Sequence, residues 1–391
     1  MNKHFVDHRF LTRVTAAIEV ARLHAEDVDE SGRFPSETVA ELKRQRLLGI
    51  HLPKQFGGEA ATLEELAEIC ACLGAVCSSS AMIFAMHQVQ VASLAIYSEP
   101  NEWHDALKRR IAADQLLLGS STTEAGVGGD LRNSSCAVVI NGNSFTLEKV
   151  APVISYGLEA DMLLITARRN PDASTGDQVL VAVERKDYTL EKTHHWNTLG
   201  MRGTRSDGFV VRAAGSLSCI LPKPFSEIAA QSMLSSSHIL WSSTWYGMAA
   251  EVIALSRSAL RKAARTTGAS VPPGTLRLVD AEAVLRSVRS DIRAAIERAS
   301  EAQMHVDSYG SAVFQTAMNN LKITTADRLI EIIAHGMMII GVAAYRNTGP
   351  LSLGRLLRDA YSAPLMISND RIRQNNANLV LLSPTEKLLA Q

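Results

Sequence analysis

The densest group of ligand-binding residue types lies between Ser120 and Asp130, where the sequence reads SSTTEAGVGGD. Hydroxyl side chains both donate and accept hydrogen bonds. Glycine lets the backbone approach a flat or phosphorylated ligand closely, with its N–H groups as further donors. From this stretch alone, a binding loop and an ordinary glycine-rich hairpin both remain open.

Other motifs with defined chemistry do not occur in the sequence. It contains no His-Glu-x-x-His or Cys-x-x-Cys metal motif, no Gly-x-x-x-x-Gly-Lys phosphate loop and no Gly-x-Ser-x-Gly nucleophile elbow. His194 and His195 are consecutive, so on a strand they would point to opposite faces and could not share a metal. We therefore predict no metal site.

The composition narrows the class of protein. The 391 residues include 40 Lys and Arg and 40 Asp and Glu, so no net charge attracts nucleic acid or anionic lipid. Five cysteines, an odd number, indicate reduced thiols. The N-terminus shows no apolar signal region, and the most apolar helical segment, 239–255, is interrupted by serines and Glu251. These features predict a cytoplasmic protein that neither spans a membrane nor binds nucleic acid.

Hydrophobic periodicity divides the chain into three predicted domains. Residues 1–115 and 225–391 show helical spacing, and residues 116–224 show short β-branched runs separated by turns such as Asn141–Asn143. The middle part is too short for a full α/β sheet. The predicted fold class is α+β and mainly helical: an N-terminal helical domain, an antiparallel β domain and a C-terminal four-helix bundle.

Four motifs in order give the chain a family resemblance. They are PKQFGG at 53–58, TEAGVGGD at 123–130, LGMRGTRS at 199–206 and GRLLRD at 354–359. On these motifs the chain resembles the acyl-CoA dehydrogenase superfamily. The resemblance implies the domain order given above, a bound FAD and a homo-oligomer, either a dimer or a tetramer.

The resemblance also implies the cofactor-binding residues. Hydroxyls of the 120–130 stretch would face the flavin ring, its glycines would approach the pyrophosphate, and a serine in VISYG would lie beside flavin N5; that serine could equally be part of a strand-end turn. A further glycine lies in MIIGV, which departs from the family's glutamine-bearing segment, so FMN stays open beside FAD. The predicted cofactor-binding residues are Ser120, Thr122, Thr123, Gly128, Gly129, Ser155 and Gly341.

The family's catalytic glutamate is missing from this chain. Acyl-CoA dehydrogenases need a carboxylate to remove an α-proton, worth roughly 10²–10⁴-fold in rate. Ile367 occupies the commoner base position in an ungapped alignment, and His238 lies beside the second one. We predict His238, Asp370 and His87 as substitutes. Two of them have a structural alternative: His238 could be a packing residue, and Asp370 could pair with a neighbouring arginine or cap a helix.

Three functions follow from the resemblance. The first is a dehydrogenase of an atypical acyl thioester, carried on CoA or acyl carrier protein, that passes a hydride to flavin N5 and then electrons to a flavoprotein or oxygen. The second is a monooxygenase of the same fold that receives reduced flavin from a partner reductase and needs no α-proton base. The third is a catalytically silent flavin-binding paralogue.

Overall fold

The computed structural model describes residues 9–97, 102–127, 131–268 and 270–381. The chain divides into two compact units, Met1–Ser237 and His238–Gln391. The helical and β parts predicted for the first 224 residues both lie in the first unit. The finer division into three domains stays a prediction.

The first unit begins with helices whose ends follow from their sequences. Thr62 caps one of them: its hydroxyl accepts from the backbone N–H of Glu65 (3.2 Å), and the Glu65 carboxylate accepts from the N–H of Thr62 (2.7 Å). The helices are α1 (Leu11–Ser31), α2 (Ser36–Arg44), α3 (Leu63–Gly74), α4 (Ser78–Tyr97) and α5 (Glu102–Asp114).

Helix α4 is the buried centre of this helical part. Its described residues are almost all inaccessible, and a helix that is apolar on every side belongs in a core. Some of its buried polar side chains donate to backbone carbonyls. Gln88 donates from Nε2 to the carbonyls of Leu47 (3.1 Å) and Leu48 (3.2 Å), which ties α4 to the segment after α2.

The β part forms two small sheets. The first has the order β1-β4-β5 and the second β2-β3-β7-β6. The predicted turn at Asn141–Asn143 is the hairpin between β2 and β3, with Gly142 at φ 59°. The strands are β1 (Leu118–Ser121), β2 (Val139–Asn141), β3 (Ser144–Ala151), β4 (Met162–Arg168), β5 (Gln178–Glu184), β6 (Tyr188–His194) and β7 (Gly208–Ser216).

One pairing differs from the antiparallel prediction. Strand β1 runs parallel to β4, with Leu118 opposite Met162 and Ser121 opposite Ile165. The two strands are joined by a long connection through the second sheet and not by a hairpin, and long crossovers permit parallel pairing. The other ladders are antiparallel, and the mainly helical α+β fold class is confirmed.

The second unit consists of helices, as predicted for the C-terminal part. Gly336 of α9 lies against α7, since a Cβ there would come within 2.4 Å of Val252 Cγ1. No helix among the described residues is long and apolar enough to cross a membrane. After α6 (Phe225–Ile228), the helices are α7 (Leu234–Thr267), α8 (Thr275–Met304), α9 (Ala312–Ile340), α10 (Val342–Tyr345), α11 (Gly354–Ala360) and α12 (Asn369–Val380).

Gly203 is a position in the first unit where a side chain would be costly. A Cβ there would lie 2.4 Å from Val28 Cγ1 on α1 and 2.9 Å from Ser79 Cβ on α4. We expect Gly203→Ala to lower the free energy of unfolding by about 1–3 kcal/mol through overpacking, measured by urea denaturation. The control is Gly176→Ala, whose nearest atom, Arg132 O, would be 3.6 Å away. Equal stability of the two variants would contradict this tight approach.

Candidate functional site

Three segments meet in the first unit, two of which carry predicted cofactor residues and one of which carries the LGMRGTRS motif. They are residues 118–127, 153–157 and 199–207, and we refer to them together as the three-segment site. The first runs from β1 into the glycine-containing loop, the second is the turn after β3, and the third precedes β7. Sequence motifs had marked all three, but the sequence alone did not show how they join.

The first two segments are joined by two side-chain hydrogen bonds. Thr123 Oγ1 donates to the carbonyl of Val153 at 2.8 Å. The phenol of Tyr156 donates to the carbonyl of Leu118 at 3.0 Å, and burial holds its pKa well above the usual range. The loop after β1 is therefore held against the turn after β3.

Backbone hydrogen bonds join the third segment to the same turn. The N–H of Tyr156 donates to Thr204 O at 2.8 Å, and the N–H of Ile154 donates to Asp207 O at 2.9 Å. Asp207 is itself fixed by Lys192, whose ammonium lies 2.6 Å from its carboxylate. The three segments thus form one hydrogen-bonded body.

A chain of hydroxyls runs through this body to Ser155. Ser155 Oγ lies 2.8 Å from Ser206 Oγ, which lies 2.9 Å from Thr204 Oγ1. Thr204 Oγ1 in turn donates to the carbonyl of Met201 at 2.9 Å. Thr204 and Ser206 are buried, and Ser155 is half-buried. The accessible end of the chain is therefore the serine predicted to contact a cofactor.

The backbone around these hydroxyls is strained. Tyr156, Met201 and Arg205 adopt left-handed φ values of 42°, 52° and 46°. Non-glycine residues seldom adopt such angles, which cost on the order of 1–3 kcal/mol each and cluster at functional sites. The three lie beside or within the hydroxyl chain, which supports a binding role for this region.

The loop after β1 presents further hydroxyls. Ser120, Thr122 and Thr123, all predicted cofactor residues, are half-buried. Ser121, which the motif comparison passed over, is fully buried, and its Oγ has no partner among the described residues. A buried hydroxyl without a partner is unusual in a folded protein and indicates a place where a ligand can supply one.

Glu124 anchors this loop from inside the β part. Its carboxylate accepts from Ser134 Oγ (2.6 Å) and from the N–H groups of Ser135 (3.0 Å) and Cys136 (2.7 Å). Lys149 Nζ lies 3.7 Å away, and burial lowers the pKa of this lysine to about 8 although Glu124 opposes the shift. Because the Glu124 carboxylate of this buried pair has both a charge partner and hydrogen-bond donors, the pair fixes the backbone of the loop.

The described residues of the three-segment site do not include the remaining predicted cofactor residues. Gly128 and Gly129 fall outside the residues that the structure describes. Gly341 belongs to the second unit, where it ends α9 at φ 71°. The cofactor roles of these three glycines stay predictions.

His87 makes hydrogen bonds to the backbone through both ring nitrogens, and this does not support the predicted catalytic role. Its Nε2 lies 2.8 Å from the carbonyl of Leu48, and its Nδ1 accepts from the N–H of Leu118 at 3.0 Å. Both ring nitrogens are used, so the ring is neutral with its proton on Nε2. Burial lowers its pKa to about 4. His87 therefore connects α4 to β1 and has no nitrogen left for a substrate.

His238 is also buried and uncharged at neutral pH. Its Nδ1 lies 3.1 Å from the carbonyl of Met318, within the second unit. Burial, with a smaller contribution from the charge of Lys322, lowers its pKa to about 4. A group with this pKa is a weak base near pH 7, so the predicted role of proton acceptor gains no support.

Asp370 lies at the surface, contrary to the catalytic prediction. Its side chain is 93% exposed and is paired with Arg373 one helical turn later, at 3.1 Å. The alternative weighed from the sequence, pairing with a neighbouring arginine in the first turn of α12, is what the structure contains. A carboxylate this open to solvent lacks the enclosure that a general base needs.

Lys322 is a buried amine that sequence reasoning missed. Its Nζ donates to Ile367 O at 2.8 Å and to Asn369 Oδ1 at 2.6 Å, and burial lowers its pKa to about 7. Ile367 has a left-handed φ of 47°, so the lysine holds a strained turn. The signal in the sequence was a single lysine between apolar neighbours on α9.

Comparison with known proteins gives matches to one family. Residues 9–111 match the family model for the acyl-CoA dehydrogenase N-terminal domain. Cyclohex-1-ene-1-carbonyl-CoA dehydrogenase of Geobacter metallireducens is 23% identical over 98% of this chain and 100% of its own length. Residues 9–111 thus match this family's N-terminal domain, and the chain as a whole is similar to acyl-CoA dehydrogenases. Other curated members of the superfamily align over about half of their length.

Solved structures share the fold of this chain. FMN-bound TdsC of Paenibacillus sp. A11-2 is 18% identical with a TM-score of 0.83, covering 96% of this chain and 98% of its own. Methanesulfinate monooxygenase MsuC of Pseudomonas fluorescens is 19% identical with a TM-score of 0.81, covering 98% and 99%.

The burial of His87 predicts a pH dependence of stability. Its pKa is about 4 in the folded protein against the ordinary histidine value of 6.5, so between these values the unfolded chain binds more protons. The free energy of unfolding should therefore rise with pH from about 4 to 6.5, with this residue contributing at most about 3 kcal/mol. His87→Gln keeps one donor and one acceptor but does not titrate. Urea unfolding across this range should show a shallower slope for the variant. An unchanged slope would contradict the buried neutral state.

Proposed function

We propose that this protein is a flavin-dependent oxidoreductase that binds the flavin ring at the three-segment site. The observation that carries the proposal is that the loop with the half-buried hydroxyls of Ser120 and Thr122 is hydrogen-bonded, through Thr123 Oγ1 and Val153 O, to the turn that carries the half-buried Ser155. A flavin ring carries carbonyl and ring-nitrogen atoms along one edge, and these hydroxyls match such a set of acceptors and donors. When bound, a flavin supplies hydride transfer or oxygen chemistry.

The protein's own residues would fix the ring and its surroundings. Tyr156 and Thr123 hold the loop and the turn together, and Glu124 anchors the loop to the β part. A site held by interlocked backbone and side-chain hydrogen bonds keeps its donors in one arrangement, which avoids reorganisation when a ligand binds.

The reaction that we propose is monooxygenation with reduced flavin supplied by a separate reductase. One atom of O₂ enters the substrate, the other leaves as water, and the reduced flavin supplies two electrons. This reaction needs no base for an α-proton. A reaction without such a base agrees with the state of the three candidate bases. His87 is hydrogen-bonded at both nitrogens, His238 has a pKa of about 4, and Asp370 is ion-paired at the solvent-exposed surface.

Dehydrogenation of an acyl thioester is the second candidate function. It is favoured by the match of LGMRGTRS at 199–206 to the family motif and by the full-length similarity to a relative named as an acyl-CoA dehydrogenase. The thioester would be carried on CoA or on acyl carrier protein, with a flavoprotein as electron acceptor and FAD as the flavin. This reaction requires a base from outside the three residues discussed.

Self-association is a further part of the proposal. Large apolar side chains are exposed at the end of the α8–α9 pair where Gly274 approaches Ile339, namely Leu276 (78%), Val342 (75%) and Tyr345 (79%). Exposed apolar groups of this number favour burial against another surface. Sedimentation velocity should give a dimer or a tetramer, and a monomer at micromolar concentration would contradict this part.

Flavin binding is tested first. Titration of the protein with FMN and with FAD, followed by flavin fluorescence, should show saturable binding. Ser155→Ala should weaken it by about three- to tenfold, the net worth of one hydrogen bond. The control is Ser144→Ala, which removes an exposed hydroxyl that donates to Asn141 O in the β2–β3 hairpin. Absence of binding for both flavins would reject the proposed function.

Two measurements distinguish the two reactions: incorporation of labelled oxygen into a product and bleaching of the flavin absorbance. With reduced FMN, ¹⁸O₂ and the compounds named for structural neighbours (dibenzothiophene, indole and methanesulfinate), we expect a product that carries one labelled oxygen atom. Anaerobic addition of acyl-CoA thioesters to the flavin-loaded protein should leave the flavin absorbance unchanged. Bleaching by any thioester would establish the dehydrogenase instead.

A further inference from the structure

The hydroxyl chain in the three-segment site has a direction. Each hydroxyl carries one proton, and that of Thr204 points to the carbonyl of Met201. Thr204 must then accept from Ser206, whose single proton is used in this bond. Ser206 in turn accepts from Ser155. In this order all three protons are used within the protein, and Ser155 presents lone pairs to a ligand but no proton.

Reversing the chain would break a hydrogen bond. For Ser155 to donate outward, Ser206 would have to donate to Ser155 and Thr204 to Ser206, which leaves Met201 O without the Thr204 hydroxyl. That carbonyl cannot move to compensate, because Trp196 Nε1 (2.9 Å) and the N–H of Thr204 (3.1 Å) also donate to it. The inward order therefore has one hydrogen bond more than the outward order.

We propose that Thr204 and Ser206 are positioning residues that make Ser155 an acceptor and so select reduced over oxidised flavin. This inference rests on the proposed function. The central ring of oxidised flavin offers a bare nitrogen, which needs a donor, whereas reduced flavin carries an N–H there, which needs an acceptor. The inward hydroxyl chain meets the second requirement without rearrangement and the first only at the cost of the Thr204–Met201 bond.

The expected difference in affinity between reduced and oxidised flavin follows from the single Thr204–Met201 hydrogen bond. Reduced flavin should bind about three- to tenfold more tightly than oxidised flavin, the equivalent of one net hydrogen bond. For a two-electron couple, tenfold tighter binding of the reduced form raises the midpoint potential by about 30 mV relative to the free flavin. A site with this preference suits a protein that receives its flavin already reduced.

The test compares the two dissociation constants in wild type and in variants of the chain. FMN binding is measured by fluorescence in air, and binding of dithionite-reduced FMN is measured by equilibrium dialysis under nitrogen. Thr204→Val keeps the shape but removes the hydroxyl, which frees Ser206 to donate to Ser155. Thr204→Ser keeps the hydroxyl and is the matched control.

The inference expects a ratio of oxidised to reduced dissociation constants of about 3–10 in wild type and Thr204→Ser, and a ratio near 1 in Thr204→Val. In Thr204→Val, the midpoint potential of bound FMN should fall in parallel toward that of free FMN. If Thr204→Val does not fold, Ser206→Ala interrupts the same chain at its middle member and should give the same ratio near 1.

Three outcomes would overturn the inference. Flavin binding with a wild-type ratio of 1 or less would reject the direction of the chain and leave the proposed function intact. A ratio that survives in both folded variants, Thr204→Val and Ser206→Ala, would mean that other groups set it. Failure to bind either form of FMN would reject the inference, and failure to bind FAD as well would reject the proposed function with it.

Discussion

The buried side chain and backbone of Tyr156 hold the candidate site together. Its phenol donates to Leu118 O on β1, its N–H donates to Thr204 O, and its neighbour Ser155 begins the hydroxyl chain. These contacts require a left-handed φ of 42°, a conformation that an isolated tyrosine avoids. Two hydrogen bonds made in a region screened from water offset that cost. Together with the Thr123–Val153 and Ile154–Asp207 hydrogen bonds, they set the arrangement of the three segments.

Periodicity and motifs were sufficient for the fold class and for the segments of the site. The turn at Asn141–Asn143, the helical ends of the chain and the motifs around Thr123, Ser155 and Ser206 could all be found in the sequence. The hydroxyl chain could not, because it depends on Thr204 and Ser155 coming within a few ångströms although nearly fifty residues separate them. The parallel β1–β4 pair was missed for the same reason.

Burial decides what the titratable residues of this chain do. His87 was predicted from the sequence to take part in proton transfer, whereas no role was predicted for Lys149 or Lys322. In the folded chain each is enclosed, has a lowered pKa and is hydrogen-bonded to backbone carbonyls of another segment. They connect segments of the chain by hydrogen bonds, or polar ties, within an otherwise apolar interior. Residue type and spacing cannot distinguish such a tie from a catalytic group, because the difference lies in which atoms surround it.

The parallel pairing of β1 with β4 has a consequence for the order of assembly. Leu118 emerges from the ribosome more than forty residues before Met162, its partner in the sheet. Until β4 is available, the backbone of β1 and the loop that follows it have no ladder on that side, and closing such a long connection is slow compared with forming a local hairpin. The β2–β3 hairpin can form first, and the loop with Ser120–Thr123 takes its final shape late. In the nascent chain, the loop after β1 therefore takes its final shape only after β4, the fourth of the seven strands, has been synthesised.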